Sequence, residues 1–218
     1  MIAIFRRFQG KLISSLFLSL GVFLLVQVIA PLISFEVWAI GQNINSQVLV
    51  SPVKSSEQVL GISVQNRNNF SAFISSLKRE TQPNYDRFSL SVPKLKIDEM
   101  DVLVDMNYLS NSLVHLPGSA LPGEKGNVFI SGHSALNQFS VFKNVPFSKL
   151  SELKKGDQII VETSGSKFIY EVFDFKVVDP TDLSVIKAPE AQGRYISLMT
   201  CVPPGLNLKR LVVLGKMI

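Results

Sequence analysis

Ser197-Leu198-Met199-Thr200-Cys201-Val202-Pro203-Pro204-Gly205 is an apolar alternating run that stops at Thr200-Cys201 and passes at once into a Pro-Pro-Gly loop. Nine residues beyond the cysteine, Arg210 opens a second apolar run, Leu211-Val212-Val213-Leu214. The pattern is two strands joined by a short loop, because Pro and Gly interrupt a strand ladder while Val and Leu favour one. A strand end beside a loop holds a side chain rigidly and still exposes it. Cys201 is the chain's single cysteine, so it forms no internal disulfide and is either a small buried hydrophobe or a thiol kept for its reactivity. Its company favours the thiol. One of only two histidines lies in Ile130-Ser131-Gly132-His133-Ser134, again directly after an apolar run.

The same texture extends outward from this pair. Phe88, Leu90 and Val92 alternate before Pro93, and short runs recur over 102–104, 127–131, 158–163, 168–175, 195–200 and 210–216. Ser164-Gly165-Ser166 reads as a hairpin turn between two of them. Many short strands with no long amphipathic helix among them predict a mainly β barrel or sandwich.

Gly-His after one strand, Thr-Cys at the end of a later one and Arg at the start of the last resemble a sortase, a bacterial cysteine transpeptidase. The resemblance runs from about Phe88 to the C-terminus. Leu116-Pro117-Gly118-Ser119-Ala120-Leu121-Pro122-Gly123-Glu124, then Gly126-Asn127-Val128-Phe129-Ile130, is similar to the family's approach to its histidine. Phe147-Ser148-Lys149-Leu150, then Leu153 and Lys155-Gly156-Asp157, is similar to the segment that follows it. Ser197 departs from the threonine more usual in the family's Thr-Leu-x-Thr-Cys pattern, a change between two small hydroxyl residues.

The resemblance implies a closed antiparallel or mixed β-barrel of about eight strands, with Cys201 as nucleophile, His133 as general acid and base, and Arg210 as oxyanion or substrate clamp. The chemistry supports those roles. A thiol attacks an amide as its thiolate, and an isolated thiol near pKa 8.5 is mostly protonated at neutral pH. An imidazole can take that proton and return it to the leaving amine, while a guanidinium steadies the oxyanion with directed donors. Ala120, Leu121, Ser131 and Thr200 flank these groups and are expected to bind substrate. The 179–194 stretch is expected to wall the peptide groove. The partners implied are exported proteins bearing a C-terminal sorting signal, and an amine acceptor from a peptidoglycan precursor or a surface-protein lysine. No cofactor is expected, and Asp179, Asp182 and Glu190 make no persuasive metal-ligand set. His115, beside the turn at Pro117-Gly118, is read as shaping that turn. The Leu-Pro-Gly triplets at Leu116 and Leu121 lack the threonine-glycine ending of a sorting signal and are read as turns.

Two rivals are weighed. Papain-like wall peptidases place cysteine before histidine, the reverse of the order here. The L,D-transpeptidases put a glycine before their cysteine, where this chain has Met199-Thr200. A non-catalytic, membrane-tethered peptide-binding barrel would have no use for all three reactive residues.

The front of the chain assigns a compartment. No charged residue occurs from Leu12 to Phe35. A helix of that length spans about 36 Å at roughly 1.5 Å per residue, against a hydrocarbon core of about 30 Å. Arg6, Arg7 and Lys11 precede it and Glu36 follows, so the positive-inside rule puts the N-terminus in the cytoplasm. The expected organisation is a cytoplasmic 1–11, a transmembrane 12–35 in the lipid bilayer, an extracytoplasmic stalk over 36–84, and a catalytic domain over 85–218 outside the cell. Phe70, Phe73, Ile74 and Leu77 recur at helical spacing, predicting a short helix within the stalk. The net charge of +5 includes +3 from Arg6, Arg7 and Lys11, leaving +2 for the rest. The pI of 9.3 therefore reports topology rather than a nucleic-acid footprint, and no nucleic-acid partner is expected.

Overall fold

A computed structural model describes residues 15–26, 29–30, 33, 37, 62–67, 70–75, 83–109, 112–135, 145–205 and 207–218. The chain divides into two compact units, Met1–Val48 and Leu49–Ile218. In the first, residues 15–26 are helical and expose Leu16, Phe17, Leu18, Phe23 and Leu24. Among the described residues no helix is long and apolar enough to cross a membrane. Residues 12–14, 27–28, 31–32 and 34–35 of the span expected over 12–35 lie outside the described residues.

Among the described residues the second unit holds ten strands: β1 (Ile62–Arg67), β2 (Phe70–Ser75), β3 (Arg87–Val92), β4 (Ile97–Leu103), β5 (Leu113–His115), β6 (Gly126–Ser131), β7 (Gln158–Thr163), β8 (Ser166–Val178), β9 (Arg194–Val202) and β10 (Lys209–Met217). Strands β3 to β10 close into an eight-stranded barrel in the order β10-β8-β7-β3-β4-β5-β6-β9, with β9 pairing back onto β10. The β4–β5 and β6–β9 pairs are parallel and the others antiparallel, so the barrel is mixed. The hairpin expected at Ser164-Gly165-Ser166 joins β7 to β8, and Gly165 takes φ +112°, a left-handed conformation that favours glycine.

Alternation along β9 sorts its side chains onto two faces. Ile196, Leu198 and Thr200 share the face that packs with Val128, Ile130, Leu211 and Val213, through the register Ile130↔Leu198↔Val213 and Thr200↔Leu211. Ser197, Met199 and Cys201 lie on the other face, through Phe129↔Ser197↔Leu214 and Met199↔Val212. Both faces are covered, which is why β9 reads as a nearly continuous apolar run. The second face meets Val185 and Ile186 from the β8–β9 connection, together with Leu116, Ile62 and Phe73. Each fully buried aliphatic side chain here stabilises the fold by about 1.5–3 kcal/mol.

The short helix expected from the spacing of Phe70, Phe73, Ile74 and Leu77 needs correction where the structure describes it. Phe70–Ser75 is a strand, paired antiparallel with Ile62–Arg67 in a separate two-stranded hairpin. Phe73 sets its ring 5.9 Å from that of Phe129, and Ser75 exchanges backbone bonds with the Asn107 carboxamide at 2.9 and 3.0 Å. Docking onto the barrel decides between helix and strand, since a short apolar run at this spacing satisfies either.

Candidate active site

Cys201 and Arg210 are direct partners across the β9–β10 ladder, and Val202 pairs with Lys209 at the mouth of the connecting loop. Paired residues on neighbouring strands point to the same side, so thiol and guanidinium share one face. Arg210 has 0% of its surface exposed and Cys201 5%. An Arg210 Nη1 donates to the Lys209 carbonyl at 3.1 Å. Burial pushes the Cys201 thiol up from its ordinary value of 9.0 to about 11, although the Arg210 charge pulls the other way. Arg210 is correspondingly lowered by burial and raised by Cys201. The resting thiol is therefore protonated, with roughly one in 10⁴ ionised at pH 7. Attack requires a base.

His133, the candidate base, follows β6. The parallel β6–β9 ladder ends at Ser131↔Met199, and the chain beyond it stays alongside β9. Gly132 N donates to Met199 O at 3.0 Å, and Thr200 Oγ1 donates to Gly132 O at 2.9 Å. Ser134 Oγ donates to Cys201 O at 2.5 Å. His133 lies between these anchors, half-buried, level with Cys201 in the continued register. The glycine before it has a steric reason. A Cβ on Gly132 would stand 2.6 Å from both Leu113 Cδ2 and Phe147 Cδ2, side chains that are fully buried. Any larger residue would push the histidine turn off the barrel wall. Thus β6, β9 and β10 bring His133, Cys201 and Arg210 to one end of three adjacent strands.

The residues expected to flank them fall into three settings. Ser131 is buried at the end of β6, paired with Met199 and so on the Cys201 side of the sheet. Thr200 lies on the opposite face of β9 from Cys201, with its hydroxyl engaged by Gly132. Ala120 and Leu121 sit on the turn between β5 and β6, where Ala120 N donates to Asn127 O at 3.1 Å and Leu121 N to Glu124 Oε2 at 2.7 Å. Among the described residues no group of His, Cys, Asp or Glu could hold a metal ion.

Two contacts were not anticipated from sequence. Asn207, in the 203–208 loop, accepts a hydrogen bond from the Cys201 thiol, with Sγ to Oδ1 at 3.3 Å. Asn127 links β6 to the β8–β9 connection, accepting from Ser197 Oγ at 3.0 Å and donating to Ile186 O at 3.0 Å. The second contact gives Ser197 a function that threonine's hydroxyl would serve equally. A polar residue in an irregular loop carries no periodic signal, and only the folded β9–β10 hairpin returns Asn207 to the sulfur.

His115 is the contrasting case. It is fully buried, with Nε2 at 2.9 Å from Ala120 O and 2.8 Å from Ser119 Oγ, and Nδ1 at 3.2 Å from Asp105 Oδ1. Phe88 packs edge-on against its ring at 6.1 Å. It shapes the turn after β5, as the sequence reading expected.

The geometry has parallels among known proteins. The chain is 31% identical to sortase D of Bacillus subtilis over 132 residues, 58% of this chain and 61% of that one. It spans less than two thirds of the length of that relative. Sortase A of Corynebacterium diphtheriae superposes with a TM-score of 0.54 at 30% identity, covering 64% of this chain and 63% of that structure. Sortase C-1 of Actinomyces oris gives 0.53 at 27% identity, covering 60% and 73%. The Sortase domain family profile matches residues 90–218, which take in the whole barrel beyond the start of β3 and all three reactive side chains. With its eight-stranded barrel and its histidine, cysteine and arginine at the ends of adjacent strands, the chain belongs to the sortase family.

Proposed function

We propose that this protein is a membrane-anchored transpeptidase that cleaves an LPxTG-like motif in exported proteins and transfers them to an amine on the cell surface. The observation that carries the reading is the direct Cys201↔Arg210 pairing, with the Gly132–Ser134 turn bonded along the same strand end.

His133 takes the thiol proton as Cys201 Sγ attacks the scissile carbonyl. Arg210 donates to the oxyanion that develops, which suits a charge that never titrates away at working pH. The C–N bond then breaks, His133 returns the proton to the leaving amine, and the acyl group stays on sulfur as a thioester. An incoming amine attacks that thioester, the C–S bond breaks, and the amine's proton passes through His133 to restore the thiol. The acceptor amine belongs to a peptidoglycan precursor or to a surface-protein lysine. The chemistry needs no metal or cofactor. Ala120, Leu121 and Ser131 contribute to peptide binding, whereas Thr200 supports the site through Gly132. Residues 12–35 anchor the chain as a single span, with 1–11 in the cytoplasm and the barrel outside, on the strength of the one-sided Arg6, Arg7 and Lys11 bias.

The test is to mix the full-length protein in detergent with a panel of sorting peptides and identify any adduct by mass spectrometry. A peptide fragment in thioester linkage to Cys201 is expected. Cleavage without an adduct, or no turnover of any peptide by folded protein, would defeat the proposal.

A further inference from the structure

Cys201 Sγ donates to Asn207 Oδ1 at 3.3 Å, and this contact bears directly on how the site rests. A carboxamide oxygen is a good partner for S–H and a poor one for S⁻, since it offers a thiolate no proton. Hydrogen bonding to the neutral form holds a group neutral. Asn207 sits in the 203–208 connection, whose ends are fixed where Val202 pairs with Lys209. Gly205 turns the connection back with φ +80°. The sulfur is 5% exposed and Arg210 0%, so the resting site is closed over both groups that must meet a peptide.

We infer that Asn207 latches Cys201 in its resting, protonated position, and that Asn207 Oδ1 must leave the sulfur before Cys201 can attack. The inference rests on the transpeptidase reading and adds a control step to it. Among the described residues, the charged and titratable groups on this side of the strand end are Arg210, paired with Cys201 from β10, and His133, level with it in the continued β6–β9 register. At the foot of the loop, Lys209 Nζ meets Asp179 Oδ1 at 2.7 Å. Arg210 favours the thiolate, so the latch opposes it, acting beside the burial that pushes the thiol up to about 11. Asn207 touches the reacting atom yet favours the unreactive form, which makes it a brake rather than an activator.

Cys201 is the only cysteine, so alkylation by iodoacetamide reports on this sulfur alone. The rate is measured on the full-length protein in detergent from pH 7 to 10, without peptide. Asn207→Ala should alkylate about three- to tenfold faster at pH 8, the weight of one neutral hydrogen bond. Its rate profile should move about half a pH unit to one unit lower. Asn207→Asp keeps an acceptor oxygen and adds a negative charge, so it should alkylate more slowly than wild type. Leu208→Ala, at an exposed neighbour in the same loop, should leave the profile unchanged. An unchanged or slower Asn207→Ala would overturn the latch, the slower result meaning that the carboxamide donates to the thiolate. Equal acceleration in Leu208→Ala would overturn it too, by tracing the effect to a loosened loop. Thioacyl formation with sorting peptides is read separately, so failure of the latch and failure of the transpeptidase reading are distinguishable.

Discussion

The barrel carries its two histidines on neighbouring strands and treats them in opposite ways. His115, at the end of β5, is fully buried and enclosed by Ala120 O, Ser119 Oγ, Asp105 and the edge of Phe88. His133, two residues past the end of β6, is half-buried and level with a thiol and a guanidinium. A buried polar group is stable only when its bonds are made, and a ring so engaged has little freedom to exchange protons with a substrate. A ring at a strand end, on a turn bonded to its neighbour, keeps its position and its access together. The surroundings, rather than the residue type, set the enclosed histidine apart from the one proposed for the chemistry.

The largest effect that would break this contrast is on turnover. His133→Gln should lower peptide exchange by about 10²–10⁴-fold, the usual contribution of a positioned acid and base. Its thermal midpoint should stay close to wild type, because the side chain is only half-buried. Near-normal exchange in this variant would erase the distinction between the two histidines.

Arg210→Lys comes next. Lysine keeps a charge and loses the planar fork, so kcat should fall on the order of 10²–10³-fold with KM little changed. An unchanged kcat together with an unchanged melting temperature would remove Arg210 from the site.

His115→Phe should show the mirror image. Substitution removes a bonded partner from Ala120 O and from Asp105 in the interior, at a cost of roughly 2–4 kcal/mol. Calorimetry should record a midpoint lower by several degrees, while turnover per folded molecule stays close to wild type. A stable but inactive His115→Phe protein would assign chemistry to the wrong histidine.

The smallest effect is one of pH. Cys201 has a folded value raised above its unfolded one, so the folded state holds this proton more tightly. The stability it contributes is complete below about pH 9 and is lost as pH rises through about 11. The loss amounts to roughly 2–3 kcal/mol across that window. Thermal scans from pH 8 to 11 should show wild type losing more stability than Cys201→Ala. Parallel curves would mean that the thiol is not held neutral by burial.

Much of this was legible in the sequence, and the exceptions have physical causes. The β9 and β10 strands and the β7–β8 hairpin follow from local alternation and turn chemistry, and the resemblance to sortases singled out Gly-His, Thr-Cys and Arg at strand ends. The parallel β6–β9 pairing does not, because strands more than sixty residues apart carry no local sign of each other. Thr200 was drawn toward the groove by its neighbour in sequence, yet period-two alternation turns it to the opposite face from Cys201. The Phe70, Phe73, Ile74 spacing pointed to a helix, and packing of Phe73 against Phe129 settled it as a strand. Asn207 was invisible because its partner is a side chain across a loop rather than a residue at a repeating interval.

The central claim, that Cys201 carries the acyl group between two amines, is tested most directly by exchange. The full-length protein is incubated in detergent with an LPxTG peptide and an added primary amine, and the ligated product is followed by mass spectrometry. The account predicts ligation by wild type and none by Cys201→Ala, whose thermal unfolding below pH 8 should match wild type. Substantial ligation by Cys201→Ala would contradict it.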